Sequence, residues 1–161
     1  MFTEMKVSGL TVDPFTNTPI VLLKDLQEER VVPIWIGFFE ASAIATQLEG
    51  VELSRPMTHD LIKNTLESLG ARLMRIEIHD LRDNTFYALI HVEVEGTHHA
   101  IDARPSDAIA LALRTESPIY VKDEVIEKSG KIEVPQDKEG EEAFEDALKN
   151  LRKDDFGKYK M

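Results

Sequence analysis

At 161 residues, 42% of them hydrophobic and 30% charged, the chain has the size and composition of one globular domain with its own core. A formal net charge of −11 and the absence of cysteine exclude disulfides, thiolate nucleophiles and cysteine-ligated zinc, and argue against stable duplex-DNA binding. No apolar run approaches the roughly 18 residues of a membrane span, and no basic-then-apolar leader precedes the first strand pattern. We therefore expect a cytoplasmic protein without membrane contact, and the abundant Glu and Lys would suit a thermophile.

Residues 2–12 read as a strand with Met5, Val7 and Leu10 inward, and residues 13–19 are dense in turn formers. Ile20 to Leu23 is a short buried strand. Asp25 to Arg30 turns the chain back into Val31 to Ile36, where Pro33 has no ladder donor and marks an edge strand or a late start. Short links make these three an antiparallel meander. Gly37 opens a helix to about Leu48 with Phe38, Ala41, Ala45 and Leu48 on one face, and Gly50 takes the left-handed position after it. A linker over residues 51–56 leads to a second helix, from Thr58 as N-cap to about Leu69. Its buried stripe is expected to be Leu61, Ile62, Leu66 and Leu69.

Two alternating strands follow, one with Met74, Ile76 and Ile78 on its apolar face, the other with Ala88, Ile90, Val92 and Val94. A two-residue turn at Asp83-Asn84 would oppose Ile78 to Leu89 and mix the faces. A three-residue loop, Arg82-Asp83-Asn84, pairs Ile78 with Ala88 and is preferred. A turn at Gly96-Thr97 then pairs Val92 with Ile101 and Ile90 with Ala103, which places Arg75, His91 and Asp102 in a row on the opposite face. Pro105 starts an Ala-rich apolar helix. Pro118 to Val121 is a short strand, Asp123 to Lys128 one or two helical turns, and Ser129 to Gly140 a polar linker. Phe144, Ala147, Leu148 and Leu151 make a last amphipathic helix.

The chemistry concentrates where the strand ending at Ala103 hands over to the Ala-rich helix. Asp102, Arg104, Ser106 and Asp107 crowd that junction, at a helix N-terminus where backbone donors point outward. Capping and dipole complementarity alone would also account for Ser106 and Asp107. The five His form no zinc-binding spacing, and no glycine-rich phosphate loop or Gly-x-Ser-x-Gly elbow occurs. Oxygen chemistry remains. Asp102 and Asp107 could hold Mg²⁺ or Mn²⁺, Arg104 and Arg75 a phosphate, and His91 or His59, with Asp60 beside it, could move protons. Glu40 is most simply a first-turn helix acid. Trp35 and Phe38-Phe39 fit core or a subunit interface better than a base-stacking platform.

Several blocks, in order along nearly the whole chain, resemble the bifunctional nuclease family: Asn17 to Leu23, Val32 to Ala41, Arg55 to Leu61, Asp80 to Ala88 and Ile101 to Ala112, with Phe144 to Phe156 similar to the C-terminal end of many members. Residues 1–129 then form the bifunctional-nuclease-like domain, and 130–161 a linker and C-terminal helix packing on it. The resemblance implies a nuclease, a phosphodiesterase cleaving RNA and single-stranded DNA; it supplies no residue roles, which rest on the local chemistry above. The alternative is a non-enzymatic homo-oligomeric module built on Trp35 to Phe39, and self-association is expected in either case. The fold expected is α+β: a mostly antiparallel or mixed sheet carrying three main helices, plus the C-terminal one.

Overall fold

Seven strands make one mixed sheet in the order β3-β2-β1-β7-β4-β5-β6. The computed structural model describes residues 1–130, so the amphipathic helix expected around Phe144 to Leu151 lies outside the described residues. Strands β1 (Phe2–Val12), β2 (Pro19–Asp25) and β3 (Val31–Trp35) form the expected antiparallel meander, with Pro33 on the edge strand opposite Leu22. A second meander is built from β4 (Ala71–Arg82), β5 (Thr85–Val94) and β6 (Thr97–Ala103). Strand β7 (Ile119–Lys122) zips the two together, antiparallel to β1 and parallel to β4, and so makes the sheet mixed.

Both hairpins of the second meander differ in detail from expectation. The β4–β5 turn has two residues, Asp83 and Asn84, both at positive φ as a type I′ turn requires. Ile78 still faces Ala88, because β4 carries an extra residue at His79 between the Ile78–Ala88 and Asp80–Tyr87 pairs. The bulge resolves the conflict between turn and face that a three-residue loop was invoked to settle. At β5–β6 the turn is Glu95-Gly96, one position earlier than expected. His91 therefore opposes Ala100, and Asp102 opposes Leu89, two places along from the expected row.

Helices α1 (Phe38–Leu48), α2 (Thr58–Ser68) and α3 (Pro105–Thr115) pack on one face, with a short α4 (Asp123–Ser129) beside β4 and β7. No helix of the described residues is long and apolar enough to cross a membrane. Helix α3 is buried nearly all round, and its run of Ala allows α1 and α2 to lie close against it over Ile76, Ile78, Ala88 and Ile90 of the sheet. Both expected helix faces need correction. Helix α1 buries Ala41, Ser42, Ile44 and Ala45 and leaves Phe38 half exposed. Helix α2 buries His59 and leans on the core through Leu66, while Leu61, Ile62 and Leu69 face outward. Its N-cap is Met57, not Thr58, and the Met57 N–H donates to Asp60 Oδ2 at 3.0 Å.

Candidate functional site

The first turns of all three packed helices meet at one cleft of about 610 Å³. Asp107, in the first turn of α3, accepts a hydrogen bond at Oδ1 from His59 Nε2 at 2.9 Å, across 48 residues of sequence. Its Oδ2 accepts from Arg104 Nε, also at 2.9 Å, and Arg104 Nη1 reaches Glu40 Oε1 of α1 at 2.9 Å. His59 is buried, yet its Nδ1 has no protein partner among the described residues and is not sealed from solvent. Burial pushes the Asp107 carboxyl up, but hydrogen bonds and charge from Arg104 and His59 outweigh it and hold the group below its ordinary range. Phe38, Phe39, Leu53 and Met57 give the cleft apolar walls. The result is an imidazole oriented by an ionised carboxylate, next to a guanidinium, in a partly dry recess.

Gly37 belongs to this arrangement. A Cβ there would collide with the Glu40 carboxylate, so glycine is what lets Glu40 fold back toward Arg104. Arg114 braces the cleft from behind, with only 5% of its side chain exposed. Its Nε donates to Asp60 Oδ1 at 2.8 Å, and its two terminal nitrogens donate to the Ala110 and Ala43 carbonyls, each at 2.9 Å. Asp60, expected to assist proton transfer, spends one oxygen on Arg114 and the other on the Met57 N–H. That geometry makes it the clamp between α2 and α3.

Arg75 and His91 are directly opposed in β4 and β5, as expected, but on the face of the sheet away from the helices. Glu77 joins them: Oε1 accepts from Arg75 Nε at 2.7 Å, and Oε2 lies 2.9 Å from His91 Nε2, a close contact without the alignment of a hydrogen bond. His91 Nδ1 and His98 Nε2 are 2.8 Å apart, their rings stacked. Asp102 is exposed on β6, lines neither this cluster nor the cleft, and makes no side-chain hydrogen bond or ion pair among the described residues. The structure thus gathers His59, Asp60, Arg104 and Asp107 on the helical side and leaves Arg75, His91 and Asp102 apart from them. Among the described residues no three His, Asp or Glu side chains are grouped to hold a metal ion.

Comparison with known proteins agrees with the sequence blocks. The bifunctional nuclease domain model matches residues 21–133. The chain belongs to the bifunctional nuclease domain family. An uncharacterized protein of Mycobacterium tuberculosis is 40% identical over 157 residues, spanning 98% of this chain and 90% of the relative. Bifunctional nuclease 1 of Arabidopsis thaliana is 25% identical over 79% of this chain and 42% of its own length. Bifunctional nuclease 1 of Oryza sativa subsp. japonica is 23% identical over 73% of this chain and 37% of its own length.

Three members of these clusters escaped the sequence reading of this family member: Glu40 as a partner of Arg104, Arg114 as a brace, and Glu77 between Arg75 and His91. Arg114 left a usable signal, a lone guanidinium closing the apolar stretch Ala108 to Leu113, where an unpaired charge could not remain. Glu77 left one too, since the expected Arg75–His91 pairing puts it on the same strand face as Arg75. Glu40 left none, because first-turn acids are common without any partner.

Proposed function

We propose that this family member is a phosphodiesterase acting on RNA and single-stranded DNA at the cleft between α1, α2 and α3. The observation that carries the reading is the His59–Asp107 pair beside Arg104 on the wall of the cleft, with His59 Nδ1 unpartnered among the described residues. His59 Nδ1 takes a proton from the attacking water, or from a ribose 2′-hydroxyl in RNA, as the new oxygen–phosphorus bond forms. The same proton is then delivered to the departing sugar oxygen as its bond to phosphorus breaks. Asp107 holds the ring and steadies its charged form, and Arg104 holds the non-bridging phosphate oxygens. A divalent ion, Mg²⁺ or Mn²⁺, would offset phosphate charge on arriving with the nucleic acid. The described residues offer it no preformed cage, so no step here passes through it.

Cleavage of short RNA and single-stranded DNA oligonucleotides by the purified chain, with Mg²⁺, with Mn²⁺ and with chelator, tests the reading. His59→Asn should slow cleavage by about 100- to 10,000-fold, the usual worth of a positioned acid–base group, with the circular dichroism spectrum unchanged. Asp102→Ala should leave the rate as it was. No cutting under any of the three conditions at high protein concentration would end the proposal for this chain.

A second reading, a homo-oligomeric module without catalysis, draws on the exposed apolar side chains around the same cleft. Phe39 is 85% exposed, with Phe38 and Met57 between half and a third exposed. Light scattering on the wild type and Phe39→Glu decides this: association abolished by the charge supports it, and a monomer at high concentration removes it.

A further inference from the structure

Arg104 is also a wall of a second cavity, of about 600 Å³, on its other side. Trp35 at the end of β3 and Phe86 in β5 line it, as do Thr18, Asn84 and Ser106. Ser106 is the telling residue. It is only 6% exposed, its hydroxyl makes no hydrogen bond among the described residues, and the oxygen is not sealed from the cavity. A hydroxyl with no protein partner that stays open to a cavity is a donor left for whatever occupies that cavity.

The surrounding donors agree in kind. Pro105 has no N–H, and the first hydrogen bond of the 11-residue helix α3 runs from Ala108 N to Arg104 O, so the Ser106 and Asp107 N–H groups are left to the helix mouth. These N–H groups, the Ser106 hydroxyl and the positive end of the helix form a set of donors suited to a phosphate. Arg104 spends Nε on Asp107 and Nη1 on Glu40, and its Nη2 has no hydrogen-bond partner among the described residues. Two aromatic residues, Trp35 and Phe86, line the same cavity. Trp35 is held in place by the bond from its Nε1 to Asp13 Oδ2 at 3.0 Å, and the Asn84 amide, on the rim, has no protein partner among the described residues.

We propose that this cavity binds one nucleotide unit, its phosphate on the first turn of α3 with Ser106 and its base against Trp35 and Phe86. The inference builds on the reading of nucleic acid as substrate and adds where a nucleotide next to the scissile phosphate sits, since Arg104 is common to both cavities. A base enters such a recess only when unpaired and unstacked, so the cavity selects single strands over duplex.

The test is calorimetric titration of the full chain with nucleoside monophosphates, with nucleosides and with inorganic phosphate. Trp35, the only tryptophan of the chain, reports in parallel by fluorescence. Saturable binding of the monophosphates is expected, at least tenfold tighter than nucleoside or phosphate alone. Ser106→Ala should weaken it about tenfold, the worth of one hydrogen bond to a charged group, and Phe86→Leu should weaken it while phosphate alone binds as before. His59→Asn should leave the titration unchanged, which separates this site from the cleavage chemistry. Binding without cutting would keep the subsite and remove the catalytic reading. Cutting without nucleotide binding, with the same KM in Ser106→Ala, would remove the subsite and keep the catalytic reading. Phosphate binding as tightly as the nucleotides would overturn the base-binding half.

Discussion

Arg114 shows how one residue ties the helical layer together. Its guanidinium is buried between α1, α2 and α3 and bonded to a carboxylate and two carbonyls. Removing it takes from Asp60 Oδ1 its only side-chain donor among the described residues and cuts the tie to the Ala43 carbonyl of α1, so Arg114→Met should cost about 1–3 kcal/mol, read from the denaturant midpoint. Arg114→Lys should recover little, because a point charge does not reproduce three divergent bonds. The carboxylates speak to pH. In Asp60, Glu77 and Asp107 alike, burial pushes the carboxyl up, and hydrogen bonds from their partners outweigh it and hold the group below its ordinary range. A carboxyl lower in the folded chain than in the unfolded one adds stability that is complete above the unfolded pKa, about 4. That stability drains away as pH falls through the lower, folded value. Denaturation between roughly pH 2 and 6 should show this loss, and Asp107→Asn should flatten part of the slope.

At the scale of elements, the β4–β5 hairpin carries a local tension that sequence pattern half revealed. Apolar alternation demanded that Ile78 face Ala88, and turn chemistry at Asp83-Asn84 demanded two residues; the His79 bulge satisfies both. Asn84 sits at φ 59, where glycine has no Cβ clash, so Asn84→Gly should stabilise the fold by about 0.5–1 kcal/mol in a thermal melt. Helix α2 teaches the opposite lesson. Its periodicity located the helix correctly, but Leu61, Ile62 and Leu69 turn outward because the neighbouring α3 receives α2 through its first turn, at His59 and Asp60. Hydrophobic spacing marks a helix; it does not say which neighbour will cover which side.

For the whole molecule the decisive fact is that the sheet has two faces. The same strand pattern that correctly opposed Arg75 to His91 also sends both away from the helices, and so away from His59 and Asp107. Net charge acts at this scale as well. With −11 overall and Arg104 the one cation that lines both cavities among the described residues, binding of single-stranded oligonucleotides at the proposed site should be weakly salt-dependent. A log–log slope near −1 is expected, far from the steep slopes of proteins making many phosphate contacts. A titration across salt concentrations measures it, and a steep slope would mean cations beyond this site take part.

By itself the sequence determined the α+β class, the two meanders, the narrowing of Pro33 to an edge strand or a late strand start, and the start of α3 at Pro105, together with the crowding of Arg104, Ser106 and Asp107 at that start. All of these follow from local alternation, helical period and the missing N–H of proline. Only the tertiary structure decided that His59 meets Asp107, that Glu40 meets Arg104, that Arg114 clamps Asp60, and that Asp102, Arg75 and His91 stand elsewhere. Those meetings depend on how closely the helices approach across α3 and on a two-place shift in one hairpin. Period and propensity along the chain set neither.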